Sequence, residues 1–266
     1  MEIIRMTLFR RLLFLILTLG CLITVGCVTT IDGKKDPLST EEGRKGAIQA
    51  YIELAYGYVR EGQTEQAKEP LLEALKINSK DADANAAMAY VFQLERDYKP
   101  AEEYFRKALS ESKNNARILN NYGVFLVQQG RLEDAKQQFL KASEDAFYSE
   151  RSMVFENLGL IVLQQNHLQE AESYFQRALM LNNSRIRSIL SLADIYYRQH
   201  NYQEAQRYYS AFITATDGSQ SSASLLLGIR IANALNNKGQ AANFASQLQQ
   251  QYPQSAEYQE YRSGKK

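Results

Sequence analysis

The sequence has no tryptophan, only two histidines and only two cysteines among its 266 residues. Both cysteines, Cys21 and Cys27, lie near the amino terminus, so the rest of the chain has no thiol for a disulfide or a nucleophile. His167 and His200 both lie in predicted turns between helices. Without a third histidine, a zinc site would need carboxylates that are predicted to face solvent. The sequence therefore predicts no metal site.

Motifs that carry catalysis are also missing. The chain has no glycine-rich phosphate loop, no serine elbow and no HExxH helix. The 31 basic and 30 acidic residues nearly balance, which gives no argument for nucleic-acid binding. Beyond the amino-terminal segment, no apolar run is long enough to span a bilayer. We expect a protein that is not an enzyme, needs no cofactor and has no small-molecule substrate.

The first 26 residues have the features of an export signal. Three arginines, at positions 5, 10 and 11, precede an apolar stretch over residues 12–26. A stretch of this length is short for a membrane span, and small or β-branched residues follow its apolar core. We predict a signal peptide over residues 1–26. An uncleaved anchor and an ordinary secreted protein are the alternatives.

Residues 24–27, Thr-Val-Gly-Cys, resemble a bacterial lipobox, in which the cysteine is acylated and the chain is cut before it. Cys21 also follows a glycine, but cleavage there would leave an apolar run at the new terminus. We therefore predict lipidation of Cys27. Val28 follows it, where an aspartate would indicate retention in the inner membrane, so the expected location is the periplasmic face of the outer membrane. Each buried acyl methylene contributes about 0.8 kcal/mol to membrane binding.

Residues 28–46 are polar and contain Gly33, Pro37, Gly43 and Gly46, with no sustained apolar period. This composition predicts a flexible tether over residues 27–46, with a root-mean-square span on the order of 25 Å.

A pattern of about 34 residues repeats from residue 48 onward. A small residue recurs with spacings of 34, 34, 36 and 34 residues, at Ala55, Ala89, Gly123, Gly159 and Ala193. An alanine follows each of them after twelve positions, at Ala67, Ala101, Ala135, Ala171 and Ala205. A large apolar residue comes four positions later, at Leu71, Phe105, Phe139, Phe175 and Tyr209. This is the pattern of the tetratricopeptide repeat (TPR), in which small residues let two antiparallel helices approach closely.

The predicted fold class is all-α, a right-handed TPR superhelix (α-solenoid) of about six helix-turn-helix repeats over residues 47–258, followed by a polar tail over residues 259–266. The predicted units are 48–81, 82–115, 116–151, 152–185, 186–219 and 225–258. The sixth is the weakest, with Ala232 and Gly239 in phase and Phe244 where alanine is usual. The predicted helices are 46–61, 64–77, 82–95, 98–111, 115–129, 132–145, 151–165, 168–181, 185–199, 202–215, 221–237 and 239–251.

The first helix of each repeat lines the inside of such a superhelix, and a few of its positions project into the groove. Those positions predict an apolar and aromatic partner-binding groove formed by Ile52, Tyr56, Val59, Tyr90, Leu94, Val124, Val127, Leu160, Leu163, Leu190 and Tyr197. The alternative is that some of them pack beneath neighbouring repeats or the tether. Ile52 and Tyr56 stand where carboxylate-binding repeat proteins carry Lys and Asn, so an apolar or extended peptide is favoured.

Several segments go beyond the general repeat pattern: 120–126 (NNYGVFL), 129–131 (QGR), 139–142 (FLKA), 156–159 (ENLG) and 171–175 (AESYF). Together with the lipobox, the six units and the two-residue expansion before the fourth unit, they resemble the type IV pilus biogenesis/stability lipoproteins, also called type IV pilotins. The resemblance covers essentially the whole chain. Some members carry a cysteine pair near Val127 and Ile161, which this chain lacks.

The resemblance implies an outer-membrane lipoprotein that binds subunits of the type IV pilus secretin and promotes their localisation and multimerisation. Ile52, Tyr56, Val59 and Tyr90 in the first repeats would then carry much of the contact. Another reading is a TPR lipoprotein scaffold for a different periplasmic or envelope assembly machine. A hydrolase with a helical accessory domain is a third, although no residues form a catalytic set.

Overall fold

A computed structural model describes residues 36–264 of the chain. The predicted signal peptide, Cys27 and most of the predicted tether lie outside the described residues. Two compact units are distinguished, Met1–Gly46 and Ala47–Lys266, and the repeats lie in the second. Within residues 36–264 there are thirteen α-helices, one 3-10 helix at Pro37–Ser39 and no strand. None of these helices has both the length and the apolar character needed to cross a bilayer.

The helices are short and nearly uniform in length. Their bounds are α1 Glu41–Arg60, α2 Thr64–Ile77, α3 Ala82–Leu94, α4 Tyr98–Glu111, α5 Ala116–Gln128, α6 Leu132–Ser143, α7 Arg151–Gln164, α8 Leu168–Leu181, α9 Ile186–Arg198, α10 Tyr202–Ala215, α11 Ser222–Ala234, α12 Lys238–Gln251 and α13 Ala256–Ser263. From α3 to α12 the strongest contacts join the two helices of each pair, and each pair also contacts the next. The predicted all-α solenoid of TPR helix pairs is confirmed.

The core of each repeat consists of the small and large residues that define the sequence pattern. The five alanines at positions 67, 101, 135, 171 and 205 are fully buried, as are the five large residues four positions after them. A Cβ atom on Gly123 would lie 2.6 Å from the Phe139 ring, and one on Gly159 would lie 2.8 Å from the Phe175 ring. The small residues are therefore required because an aromatic ring of the second helix lies directly against the backbone of the first.

Each first helix ends in the same hydrogen-bonded turn. The backbone N–H of Gln63 donates to the Tyr58 carbonyl at 2.9 Å, and equivalent bonds of 2.9–3.0 Å end α3, α5, α7 and α9. This bond is that of a Schellman motif, which places one residue in the left-handed region. The residues with positive φ at these five turns are Gly62, Arg96, Gly130, Asn166 and His200. The turns lie where the sequence predicted them, although Arg96 and His200 adopt the conformation without being Gly or Asn.

The first helix begins at Glu41, so the prediction of a tether through residue 46 is wrong for its last six residues. Thr40 Oγ1 accepts a hydrogen bond from the Gly43 N–H at 3.0 Å and caps the helix, with Glu41 and Glu42 in the first turn. Gly43 was read as a helix breaker. A Cβ at this position would overlap the carbonyl oxygen of Pro37, so the glycine allows the 3-10 turn to pack against the helix start.

The predicted polar tail over residues 259–266 is also wrong, because α13 extends to Ser263. Ser255 Oγ accepts from the Tyr258 N–H at 3.1 Å and caps α13, and Gly264 ends it with a φ of 64°. Tyr258 packs against the last apolar cluster, and Glu260 forms an ion pair with Arg230 of α11. With only two turns, this helix is too short to produce a clear apolar period.

The sixth repeat follows a different phase from the predicted one. Gly228, and not Ala232, holds the position of close approach, where the hydroxyl of Tyr209 leaves no room for a Cβ. Tyr209 donates to the Ser224 carbonyl at 2.8 Å and to the Gln220 side chain. Burial raises the pKa of this hydroxyl. The buried tyrosine therefore links the fifth repeat to the sixth across the insertion between them.

A buried carboxylate joins α7 to α9. Glu156 is only 4% exposed, and it accepts from Arg185 at 2.7 Å and from the hydroxyl and N–H of Ser188 at 2.7 and 3.1 Å. Because a buried charge is tolerated only when it is fully partnered, this network specifies the register of the fourth and fifth repeats.

Candidate partner-binding face

The first helices of successive repeats contact one another, α3 with α5 and α9 with α11. Their exposed side is called the inner face below. Tyr56, Tyr90, Val124 and Leu160 occupy the same position in the first helices of four consecutive repeats, and all four are partly exposed. The rings of Tyr56 and Tyr90 lie 6.3 Å apart between centroids, at an angle of 52°. The structure therefore brings the two predicted tyrosines together as an aromatic pair.

Ile52 is not part of this face. Its side chain is 4% exposed and belongs to an apolar cluster with Ala67 and Leu71 of α2. The prediction that Ile52 contacts a partner is wrong, because this position of the first unit points toward the second helix. Val59 is half-buried against the same cluster.

Leu94 and Val127 remain accessible at the ends of their helices. They are 42% and 39% exposed, respectively, and neither belongs to a buried cluster. Leu94 ends α3 and Val127 lies one residue before the end of α5. Both could therefore contact a partner that reaches the turn side of the inner face.

Polar groups beside the tyrosine pair were missed in the sequence. Arg117 of α5 donates to Asp83 of α3 at 2.5 Å, and both side chains are 40–45% exposed. Burial raises the pKa of the Tyr56 hydroxyl, and the neighbouring Arg117 guanidinium acts in the opposite direction. Arg117 therefore lies beside the aromatic pair and offers hydrogen-bond donors to a carbonyl or carboxylate. The available signal was the 34-residue spacing of Asp83 and Arg117, both at the second position of their units.

The remaining predicted residues lie elsewhere on the array. Leu163 and Leu190 line a cavity of about 360 Å³, and Tyr197 lines a cavity of about 430 Å³ together with Tyr202 and Tyr261. Leu160 is partly buried against the cluster formed by residues such as Val162 and Leu192 of the fourth and fifth repeats. The predicted set therefore separates into an amino-terminal and a carboxy-terminal group of side chains.

The two histidines occupy turns, as predicted. His200 has a positive φ, and its Nδ1 lies 2.8 Å from the Tyr202 hydroxyl. His167 is exposed, with Nδ1 3.7 Å from Glu170. Between residues 36 and 264, no three His, Cys, Asp or Glu side chains converge in a way that could hold a metal ion.

Family models of the tetratricopeptide repeat match residues 48–81, 82–115, 114–184 and 190–256. The chain is therefore a tetratricopeptide repeat protein. The type IV pilus assembly protein PilF of Pseudomonas aeruginosa is 47% identical over 240 residues, which are 90% of this chain and 94% of the relative. The chain belongs to the PilF family of type IV pilus assembly proteins, and the resemblance inferred from the sequence is confirmed.

Solved structures agree with this assignment. A structure from the functional characterisation of Pseudomonas aeruginosa PilF is 48% identical and matches with a TM-score of 0.80 over 84% of this chain and all of that one. PilW, described as a widely conserved type IV pilus biogenesis factor, is 29% identical and matches with a TM-score of 0.70, over 80% of this chain and 97% of that one.

Proposed function

We propose that this protein is an outer-membrane pilotin, a lipoprotein that binds subunits of the type IV pilus secretin and promotes their localisation and multimerisation. The observation that carries the proposal is the 47% identity, over 90% of the chain, to a protein named for type IV pilus assembly. The TPR fold supports a role in holding another protein, because its helix pairs offer an extended binding surface. In this role no covalent bond is made or broken.

The proposed mechanism divides the work between two parts of the chain. Acyl groups on Cys27 hold the protein at the membrane, since each buried methylene adds about 0.8 kcal/mol. The TPR array binds the secretin subunit. Joining both activities in one chain raises the local concentration of subunits where the secretin ring assembles, without any new contact between subunits.

The inner face of the first three repeats is the proposed secretin-binding site. Tyr56 and Tyr90 offer apolar ring surface, and Arg117 beside them offers donors to main-chain carbonyls. Tyrosine provides a large contact area with few rotatable bonds, which suits it to a binding surface. This combination fits an extended or amphipathic segment of the secretin.

The test is a strain that carries the double substitution Tyr56→Ser and Tyr90→Ser in place of the wild-type protein. Secretin multimers on gels should fall about tenfold or more, because two central contacts are lost. Leu54→Ser is the matched control, since Leu54 lies on α1 and is already 50% exposed. Immunoblots and thermal melts of each variant separate a loss of binding from a loss of folding.

Unchanged multimers in a stable double variant would exclude the inner face as the secretin-binding site. Normal multimers in a strain that lacks the protein altogether would overturn the proposed function. In that case, affinity purification should reveal a different envelope assembly as the partner.

A further inference from the structure

The connection between the third and fourth repeats carries an almost fully exposed aromatic side chain. It covers residues 144–150, whereas four residues separate α2 from α3, α4 from α5 and α8 from α9. Phe147 in this connection is 97% exposed. Asp145 shapes the turn, because its Oδ1 accepts from the Phe147 N–H at 2.9 Å and its carbonyl from the Tyr148 N–H at 3.3 Å. The phenylalanine is therefore presented to solvent by a hydrogen-bonded turn.

The end of α8 adds further exposed apolar surface. Met180 is 78% exposed and Leu181 is 50% exposed. The position of Met180, nine residues after the repeat alanine, is polar in the other four repeats: Lys76, Ser110, Glu144 and Thr214. Only the repeat that follows the long connection has an apolar residue here. We call Phe147, Met180 and Leu181 the loop patch.

The loop patch borders a groove. A cavity of about 520 Å³ is lined on one side by Ala146 and Tyr148, which flank Phe147, and on the other by Met180 and Leu181. Asn182 and Asn183 continue the lining and supply hydrogen-bonding groups. A concave surface with an apolar rim and polar groups inside it is suited to receive a peptide segment.

The charges around the groove are unequally available. Arg151 donates to the Ser143 carbonyl at 2.7 Å and lies over the Phe155 ring. Arg177 lies 4.2 Å from the centroid of the same ring, and Arg185 pairs with the buried Glu156. These three cations are engaged in the fold.

The acidic side chains of the connection, by contrast, face solvent. Glu144, Asp145 and Glu150 are all exposed. They give the groove a negative potential, which attracts a cationic partner and disfavours anionic phospholipid.

We propose that this groove is a second docking site and that it binds a protein segment in which large apolar side chains alternate with lysine or arginine. The apolar side chains contact Phe147 and Met180, and the cations face the carboxylates of residues 144–150. The site is separate from the inner face, so it does not depend on the proposed secretin-binding role.

The test measures fluorescence anisotropy of a short labelled peptide in which lysine alternates with leucine or phenylalanine. The full chain is kept in a nonionic detergent, with detergent alone as the blank. The double variant Phe147→Ser and Met180→Thr should bind the peptide about tenfold more weakly than wild type, because the two apolar contacts are removed. Leu72→Ser is the matched control, since Leu72 is 49% exposed on α2, and it should bind like wild type.

Two further probes establish which occupant the groove takes. A peptide with glutamate in place of lysine should show no binding, and added salt should weaken binding of the lysine peptide. Equal affinity of the double variant and the Leu72 control, or equal binding of the glutamate peptide, would overturn the proposal. Binding of phosphatidylglycerol vesicles, or self-association, that the double variant abolishes would equally overturn it by giving the patch another occupant. Because both substituted side chains face solvent, all variants should melt within a few degrees of wild type.

Discussion

At the scale of single residues, the repeat is specified by contacts between one side chain and one stretch of backbone. Gly123 and Phe139 are the clearest pair, because the ring occupies the space that a Cβ at residue 123 would need. Phe139 is fully buried and has no room to move away. The identity of the small residue is therefore decided by its neighbour on the second helix.

Replacing Gly123 with alanine should destabilise the protein although alanine is the better helix former. The helix gains about 1 kcal/mol from the substitution, whereas overpacking against a buried ring costs about 1–3 kcal/mol. Gly57→Ala is the control, because the nearest atom to a Cβ there is 3.9 Å away, and it should be stabilising. Thermal melts would show the two variants moving in opposite directions. A higher melting temperature for Gly123→Ala would contradict the packing argument.

Glu102 makes stability depend on pH. It accepts hydrogen bonds from Arg131 at 2.7 Å and from the Tyr122 hydroxyl at 3.0 Å. Burial opposes ionisation of the carboxyl, but the donors, together with Arg106, outweigh it and lower its pKa below the ordinary value of 4.5. A folded-state pKa below the unfolded one contributes stability above the unfolded pKa, and this stability is lost as pH falls through the folded pKa.

Glu102→Gln should therefore melt at a lower temperature than wild type near neutral pH, and the difference should shrink as pH falls below 4.5. Melting curves recorded across this range provide the measurement. Glu103→Gln, at the exposed neighbouring residue, is the control and should follow the wild-type curve. A constant difference between Glu102→Gln and wild type at every pH would show that its ionisation does not matter.

At the scale of elements, stability passes from one helix pair to the next. The last pair, α11 and α12, is followed by α13, which packs Tyr258 on the final apolar cluster and pairs Glu260 with Arg230. A terminal helix of this kind covers a face that would otherwise be exposed, as capping repeats do. Its contribution should consequently be local.

Ending the chain after Ser255 removes α13 and should lower hydrogen-exchange protection in α11 and α12. Because a repeat contacts only its neighbours, α1 to α8 should keep their protection. A chain that ends after Gly264 serves as the control. Uniform loss of protection along the array would show that the repeats unfold as one cooperative unit.

At the scale of the whole molecule, the proposed function requires the anchor and the array to act together. Cys27→Ser should release the protein from the membrane fraction and reduce secretin multimers, since binding without anchoring no longer concentrates the subunits at the membrane. Cys21→Ser is the matched control and should leave both properties unchanged. Release by Cys21→Ser instead would show that the lipidated cysteine was wrongly assigned. Fractionation followed by immunoblotting checks both variants.

The order of the helices could be predicted from the sequence because one 34-residue pattern recurs with alanine and aromatic residues in constant phase. The helix ends were less accessible. Gly43 looks like a helix breaker, and its use as a contact for Pro37 is visible only once both are placed. For the binding face, the period selected the correct helices, but Ile52 and Tyr56 differ by a single turn and face different surroundings.

The sequence by itself determined the repeat, the pairing of helices and the family, because these depend on regular spacing within about 34 residues. The tertiary structure decided which of the predicted groove residues are buried, how Arg117 and Asp83 meet beside the tyrosine pair, and that Phe147 and Met180 border one groove. These relations join residues about 30 or more positions apart through packing between repeats. Side-chain exposure depends on all neighbours in space, and a local pattern describes only the neighbours along the chain.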